Sequence, residues 1–157
     1  MTQDAKFEDG REAPLNLGVE DAEDLKIVSS LCQDAILPIT EMRWERRKRR
    51  FTLLLNRFRW EDRGGARHGA ERVRALLSFE DVLNVAGQGI DQSANETILS
   101  LLSIEFEAGE DGAGEILLTF AGDGAIRMSV EAIAARLQDV TRPYDAPSGQ
   151  VPDHGEI

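Results

Sequence analysis

The chain has 157 residues, of which 41% are hydrophobic and 30% are charged, and its formal net charge is -11 at pH 7. These proportions are typical of one soluble globular domain that buries its own core. A single cysteine excludes an internal disulfide, and with two histidines it provides no cluster with zinc-ligand spacing. No apolar stretch is long enough for a signal-peptide core or a membrane-spanning helix, so the sequence predicts a cytoplasmic protein without a cofactor.

The predicted organisation is a single domain between two tails. Residues 1–13 carry charges throughout and predict a flexible leader, and residues 142–157 predict a flexible, proline-containing tail. Residues 14–141 are expected to form the domain, which is of the α+β class. Its first element is a helix, because Asp21 is a suitable N-cap and apolar side chains follow at the spacing of one helix face. That face consists of Leu25, Val28, Leu31 and Cys32.

Beyond Pro38 the hydrophobic period changes to two, which is the period of a β-strand. In the segment FTLLLNRFRW, the residues Phe51, Leu53 and Leu55 share one face, and AILPITEMRW is the predicted incoming strand of a hairpin. Further alternating runs, separated by glycine-containing turns, predict about seven antiparallel strands in all. These runs contain Val73, Ala75, Leu77 and Phe79; the segment VLNVAGQGI; Ile98, Ser100, Leu102, Ile104 and Phe106; Ile116, Leu118 and Phe120; and Ile126, Met128 and Val130.

The last predicted element is a helix from Val130 to Val140, with Ser129 as its N-cap. Its apolar stripe consists of Val130, Ile133, Ala134 and Leu137. Several antiparallel strands followed by an amphipathic helix are typical of a bent sheet or small barrel that is capped by that helix. This order resembles the pleckstrin-homology superfold, and the basic-then-aromatic run KRRFTL at residues 48–53 is similar to the entry into its second strand.

Four segments are similar to a family known as domain of unknown function 2948, which occurs in alphaproteobacteria. The segments are DLKIVSSLCQDAIL, RRFTLLLNRFRWE, ILSLLSIEFE and FAGDGAIRMSVEAIAARLQD. The resemblance spans roughly residues 15 to 141 and implies a bacterial cytoplasmic protein without an assigned activity. It supplies no functional residues that can be transferred to this chain.

Positive charge is concentrated in one window of the sequence. Residues 43–74 hold 12 of the 18 basic residues and carry a charge of +8, which leaves -19 for the rest of the chain. The next 52 residues, 75–126, contain ten acidic residues and no Lys or Arg. The predicted ligand-binding set lies in the basic window and consists of Arg43, Arg46, Arg47, Lys48, Arg49, Arg50, Arg57 and Arg59.

Such a cluster fits the phosphates of nucleic acid, lipid or a metabolite, and equally the carboxylates of an acidic protein. Charges at a hairpin tip also keep a strand edge solvated, which is a purely structural role. Trp44, Phe58 and Trp60 have the ring surfaces that stack on single strands, but alternating aromatic residues in a strand are more often part of a core. The overall charge opposes a polyanion, so nucleic acid is possible as a partner and is not favoured.

Catalytic motifs are absent from the sequence: its glycine-containing stretches lack the context of a phosphate loop, and no serine lies in a GxSxG elbow. The sequence therefore predicts a non-catalytic interaction module that presents a basic hairpin to an anionic ligand or an acidic protein partner. The alternative is a structural protein that forms a homo-oligomer by pairing its basic and acidic faces. A third, less favoured hypothesis is an enzyme that holds a small anionic substrate with Arg57 and Arg59.

Overall fold

The computed structural model describes residues 14–59, 71–91, 93–94 and 96–140, together with the backbone of residues 144–145. This part of the chain contains eleven β-strands and one α-helix. The strands are β1 (Asn16–Val19), β2 (Ile36–Pro38), β3 (Met42–Glu45), β4 (Arg50–Phe58), β5 (Glu71–Phe79), β6 (Val82–Gln88), β7 (Ile98–Ala108), β8 (Gly114–Phe120), β9 (Gly124–Val130), β10 (Ala135–Asp139) and β11 (Tyr144–Asp145), and the helix is α1 (Ala22–Leu31).

Helix α1 begins where the sequence predicts. The carboxylate of Asp21 accepts a hydrogen bond from the backbone N–H of Asp24 at 2.8 Å, as an N-cap does. Leu25 and Val28 are buried on the predicted apolar face, and Cys32 is buried directly after the helix. The predicted N-terminal helix is therefore confirmed.

Every strand pair in the sheet is antiparallel. The strand order is β1-β10-β5-β4-β2-β7-β8-β9-β6, with β11 beside β5 and β3 beside β4. Strand β7 joins the two halves of this path, because residues 98–100 pair with β2 and residues 101–108 pair with β8. The register shifts between Leu101 and Ser103, and an irregularity of this kind bends a strand.

Both halves of the sheet bury their apolar faces in one core. Leu53 of β4 and Leu77 of β5 come from the first half, Leu118 of β8 and Met128 of β9 come from the second, and all four are fully buried in the same cluster. Helix α1 packs against β7 and contributes Val28 to that cluster. The two halves therefore share a single hydrophobic core with α1.

The predicted fold, a pleckstrin-homology-like sheet of about seven strands with a helix at each end, is wrong. The segment predicted as the closing helix forms the end of β9, a turn and β10. Its apolar spacing suits a helix, but Leu137 and Asp139 are also buried in alternation with the exposed Arg136 and Gln138. Pairing of β10 with β1 on one edge and β5 on the other buries this face and overrides the local helix propensity.

The strand count and one strand face also differ from the predictions. The predicted incoming strand is divided at Pro38 into β2, a short 3-10 helix (Ile39–Glu41) and β3. In β7 the irregularity between Leu101 and Ser103 interrupts the alternation on which the predicted face relied. As a result Leu101 is fully buried, whereas Ile98 and Leu102, which were assigned to the apolar face, are 52% and 42% exposed.

Strand pairing continues beyond residue 141, where the domain was predicted to end. Residues 144 and 145 form β11, and their backbone pairs with Arg72 and Glu71 of β5. The predicted leader, the rest of the predicted tail and the glycine-rich loop at residues 61–70 lie outside the described residues.

A side-chain hydrogen bond attaches α1 to the sheet. The backbone N–H of Ile104, a residue that is 3% exposed, donates to Ser29 Oγ at 2.9 Å. Replacing Ser29 by Ala is expected to cost about 1 to 2 kcal/mol, because a buried N–H loses its acceptor. Ser30→Ala on the exposed side of α1 is the control, since both changes raise helix propensity equally. Equal unfolding free energies for the two variants in urea would contradict this role for Ser29.

Candidate basic interaction site

The basic run forms the connection between β3 and β4. Arg46–Lys48 make one turn of 3-10 helix, and Arg49 follows in the left-handed backbone conformation with φ 56°. The N–H of Arg49 donates to the carbonyl of Arg46 at 3.1 Å, and Glu45 pairs with Arg50 across the hairpin. The prediction that the basic run is the turn of a hairpin is confirmed. We call the exposed residues Arg46, Arg47 and Lys48 the basic turn.

The base of the basic turn is hydrogen-bonded to one neighbouring connection, which is itself bonded to a second. The N–H of Val82, which follows the β5–β6 connection, donates to the carbonyl of Arg49 at 3.0 Å. The N–H of Glu131, which begins the β9–β10 connection, donates to the carbonyl of Asp81 at 3.0 Å. Backbone hydrogen bonds therefore fix the turn against the rest of the sheet.

These neighbouring connections also supply carboxylates to the basic residues at the end of the turn. Arg49 Nη1 lies 3.0 Å from Glu131 Oε1, and Arg50 Nε lies 2.9 Å from Glu80 Oε2. All four side chains are between 40% and 51% exposed, so water screens both pairs. The pairs contribute little stability, but they neutralise two of the six positive charges.

Glu45 is placed among the remaining charges. Its carboxylate oxygens lie 3.8 Å from Arg43 Nε, 3.8 Å from Lys48 Nζ and 4.0 Å from Arg50 Nη1. One carboxylate at these separations offsets only part of three positive charges. Arg43 and Lys48 remain 74% and 62% exposed and therefore available to another molecule.

Arg46 and Arg47 carry the charges that the protein does not neutralise. Both are exposed, and neither has an ion-pair partner among the residues that the structure describes. The cluster of six bases and the three carboxylates of Glu45, Glu80 and Glu131 retains a formal charge of +3. Within this cluster, the positive charge without an ion pair is therefore concentrated at the tip of the hairpin.

The last two residues of the predicted ligand-binding set do not lie at this surface. Arg57 is fully buried, and its Nε and Nη2 each donate to an Asp139 oxygen at 3.2 Å. Asp139 also accepts the N–H of Leu15 at 2.9 Å, so three donors surround its carboxylate. Arg59 is 6% exposed and donates from Nη1 to Glu71 Oε1 at 2.9 Å. The structure thus brings six of the eight residues together and commits Arg57 and Arg59 to internal ion pairs.

The two described aromatic residues of the predicted stacking set, Trp44 and Phe58, have different surroundings. Trp44 is partly buried and packs against the core, while the ring of Phe58 lies under the guanidinium of Arg72, with 4.4 Å from Cζ to the ring centroid. Trp60 lies outside the described residues.

A groove beside the basic turn was not predicted from the sequence. It lies between β3 and β6, has a volume of about 320 Å³, and its wall contains Trp44 of β3 and Val85 of β6. The other lining residues are Ile39, Thr40, Met42, Phe51, Gly87, Ile90 and Ile126. Among the described strands, β3 pairs with β4 alone and β6 with β9 alone, so each has an unpaired edge.

The described part of the chain holds no metal cluster and no membrane-spanning helix. There, no three His, Cys, Asp or Glu side chains are close enough together to hold a metal ion. No helix among those residues has both the length and the apolar character needed to cross a membrane.

The chain belongs to the DUF2948 family of proteins of unknown function, whose sequence profile matches residues 15–154. The family resemblance of the four segments is therefore confirmed, and the match extends past residue 141 into the segment that was predicted as a tail. No match was found among curated proteins or among solved structures.

Proposed function

We propose that this member of the DUF2948 family is a non-catalytic interaction module that binds an acidic segment of a partner protein through the basic turn. One observation carries the proposal: Arg46 and Arg47 are exposed and have no ion pair among the described residues, while Arg49 and Arg50 beside them are paired with glutamates. Surface charges of mixed sign would serve solubility as well, so two adjacent arginines without an ion pair among the described residues are not required for it.

Acidic protein is favoured over a nucleic acid or a charged membrane because of the surrounding carboxylates. Three carboxylates, those of Glu45, Glu80 and Glu131, lie among the bases, so the site contains positive and negative charges. The whole chain carries a net charge of -11. A continuous array of phosphates would bring negative charge against these glutamates, which is unfavourable when charges of like sign are close. A short acidic peptide can place its carboxylates at the tip alone.

The test is the combined variant Arg46→Ser, Arg47→Ser, Lys48→Ser. Selection of random twelve-residue peptides displayed on phage is expected to enrich acidic sequences on the purified protein. The enriched peptide, followed by fluorescence polarisation, should bind the variant at least about tenfold more weakly and with a flatter dependence on salt. Unfolding free energy should change by no more than about 0.5 kcal/mol, because all three side chains are exposed.

A matched control removes the same charge elsewhere. Lys26, Arg127 and Arg136 are exposed bases outside the turn, and replacing all three by Ser should leave peptide affinity within about twofold of the original. Undiminished peptide binding by the basic-turn variant would contradict the proposal. Stronger binding to phosphatidylglycerol vesicles or to single-stranded RNA would assign the turn to a different ligand, and salt-sensitive oligomers in sedimentation equilibrium would favour self-association.

A further inference from the structure

We propose that the groove between β3 and β6 binds the partner as an extended strand, with apolar side chains in the groove and acidic residues at the basic turn. This inference rests on the proposed function and adds its binding mode. The groove, the two unpaired edges and the position of the basic turn each support it independently.

The unpaired edge of β6 supplies backbone groups that an extended peptide satisfies. In an antiparallel pair, alternate residues direct their N–H and C=O groups away from the partner strand, toward the open edge. Strand β6 pairs regularly with β9 from Asn84 to Gln88 and contains no charged residue and no proline. Charges, proline and bulges are means by which an edge strand avoids pairing, and the irregularity in β6 is confined to its start between Val82 and Asn84, so residues 84–88 retain an edge that accepts another strand.

The side chains of the groove suit alternate apolar residues of such a strand. Met42 and Trp44 project from β3 on one side, and Val85 and Gly87 lie on the β6 side. The volume of about 320 Å³ is within the range of pockets that hold ligands. Thr40 is the one polar side chain among the lining residues, so most polar groups available there are backbone groups. Strand addition uses backbone groups for affinity and side-chain pockets for selectivity, which favours a peptide over a compact small molecule.

The charges at the two ends of the groove set the orientation of the bound peptide. The hydrogen bond from Val82 N–H to the carbonyl of Arg49 joins β6 to the hairpin, so the basic turn lies at one end. Ile90 lines the groove and is followed by Asp91, which accepts hydrogen bonds from the hydroxyl and the backbone N–H of Ser93. These hydrogen bonds lower the pKa of Asp91, so its exposed carboxylate is ionised at neutral pH. The acidic part of the partner is therefore directed to the turn and away from Asp91.

Gly87 offers a direct test of the groove. A Cβ atom added at Gly87 meets no heavy atom within 4 Å, and its φ is not in the left-handed region, so a larger residue fits without backbone strain. Gly87→Phe should fill the groove and weaken binding of the selected acidic peptide at least about tenfold. Ala86→Phe is the matched control, because successive residues of a strand point to opposite faces and Ala86 is exposed. The control should bind within about twofold of the original protein.

A second measurement examines the backbone of the peptide. The peptide is expected to pair with β6 alone, so methylating its amide nitrogens one at a time should weaken binding at every second position, because a strand bonded on one side pairs through alternate residues. Gly87→Val, a smaller β-branched change, replaces Gly87→Phe if the larger variant does not fold.

The outcomes separate this inference from the proposed function. If the basic-turn variant binds the peptide weakly and Gly87→Phe binds it normally, the proposed function is supported and a role of the groove in peptide binding is contradicted. Loss of binding by Gly87→Phe without the alternating effect of methylation would overturn strand addition. If dodecanoate displaces the peptide at a lower concentration than unlabelled peptide does, the groove is assigned to a fatty acid. If the protein forms oligomers that Gly87→Phe abolishes, the groove is assigned to a second copy of the chain. Failure to select any acidic peptide would overturn both proposals.

Discussion

Replacing Asp139 by Ala is expected to destabilise the protein by about 3 to 5 kcal/mol, because it leaves a buried guanidinium without its counter-charge. The side chains of Arg57 and Asp139 are 0% and 2% exposed, so water cannot solvate Arg57 without opening the core. The N–H of Leu15 loses its acceptor in the same variant. The loss should appear as a lower denaturant midpoint with an unchanged slope.

Two variants separate the buried charge from other effects at this position. Gln138→Ala changes an exposed neighbour on β10 and should cost no more than about 0.5 kcal/mol. The pair Arg57→Met and Asp139→Leu removes both charges, and it should be more stable than Asp139→Ala because no charge stays buried alone. A loss below about 1 kcal/mol for Asp139→Ala would mean that Arg57 finds another partner or reaches water.

The buried pair also bears on the hypothesis of an enzyme that holds an anionic substrate with Arg57 and Arg59. Arg57 donates to both oxygens of Asp139 and to the carbonyl of Phe58, and Arg59 is paired with Glu71. A substrate anion would have to displace a carboxylate from a buried site at a high cost in free energy. Arg57 and Arg59 are therefore engaged in internal ion pairs that support the fold.

Local patterns in the sequence were sufficient to predict the helix and the strands whose conformation depends on neighbouring residues. The N-cap at Asp21 and the helical spacing after it predicted α1, and alternation predicted β4, β5 and β8. The adjacent Asp123 and Gly124 favour a tight turn before β9, and the left-handed residues there are Gly122 and Asp123. In each case the short-range pattern and the tertiary environment favour the same conformation.

Long-range pairing decided the elements that the sequence did not predict. Strand β10 consists of ARLQD, whose residues favour helix, and it becomes a strand by pairing with β5 and β1. Arg57 follows Phe51, Leu53 and Leu55 at a spacing of two, which indicated an inward position on β4. An inward arginine requires a buried acidic partner. The sequence predicts a helix at Asp139, so the partner of Arg57 could not be identified from the sequence. The groove depends on β3 and β6, which are distant in sequence and are brought together only by the tertiary fold.

Replacing Leu137 by Ala is expected to cost about 2 to 5 kcal/mol, because it removes a fully buried side chain and leaves a cavity. Leu137 pairs with Leu17 of β1 and Leu77 of β5, so it lies at the centre of three adjacent strands. The same substitution at Leu102, which is 42% exposed on β7, should cost no more than about 1 kcal/mol.

Guanidinium chloride unfolding of both leucine variants, followed by tryptophan fluorescence, gives the comparison. Equal losses at Leu137 and Leu102 would show that β10 is peripheral to the core. A large loss of unfolding free energy at Leu137 alone would establish that the packing of β10 is required for stability. Since Asp139 lies on the same strand and face, two residues further on, that result would also explain how the ion pair with Arg57 is kept from water.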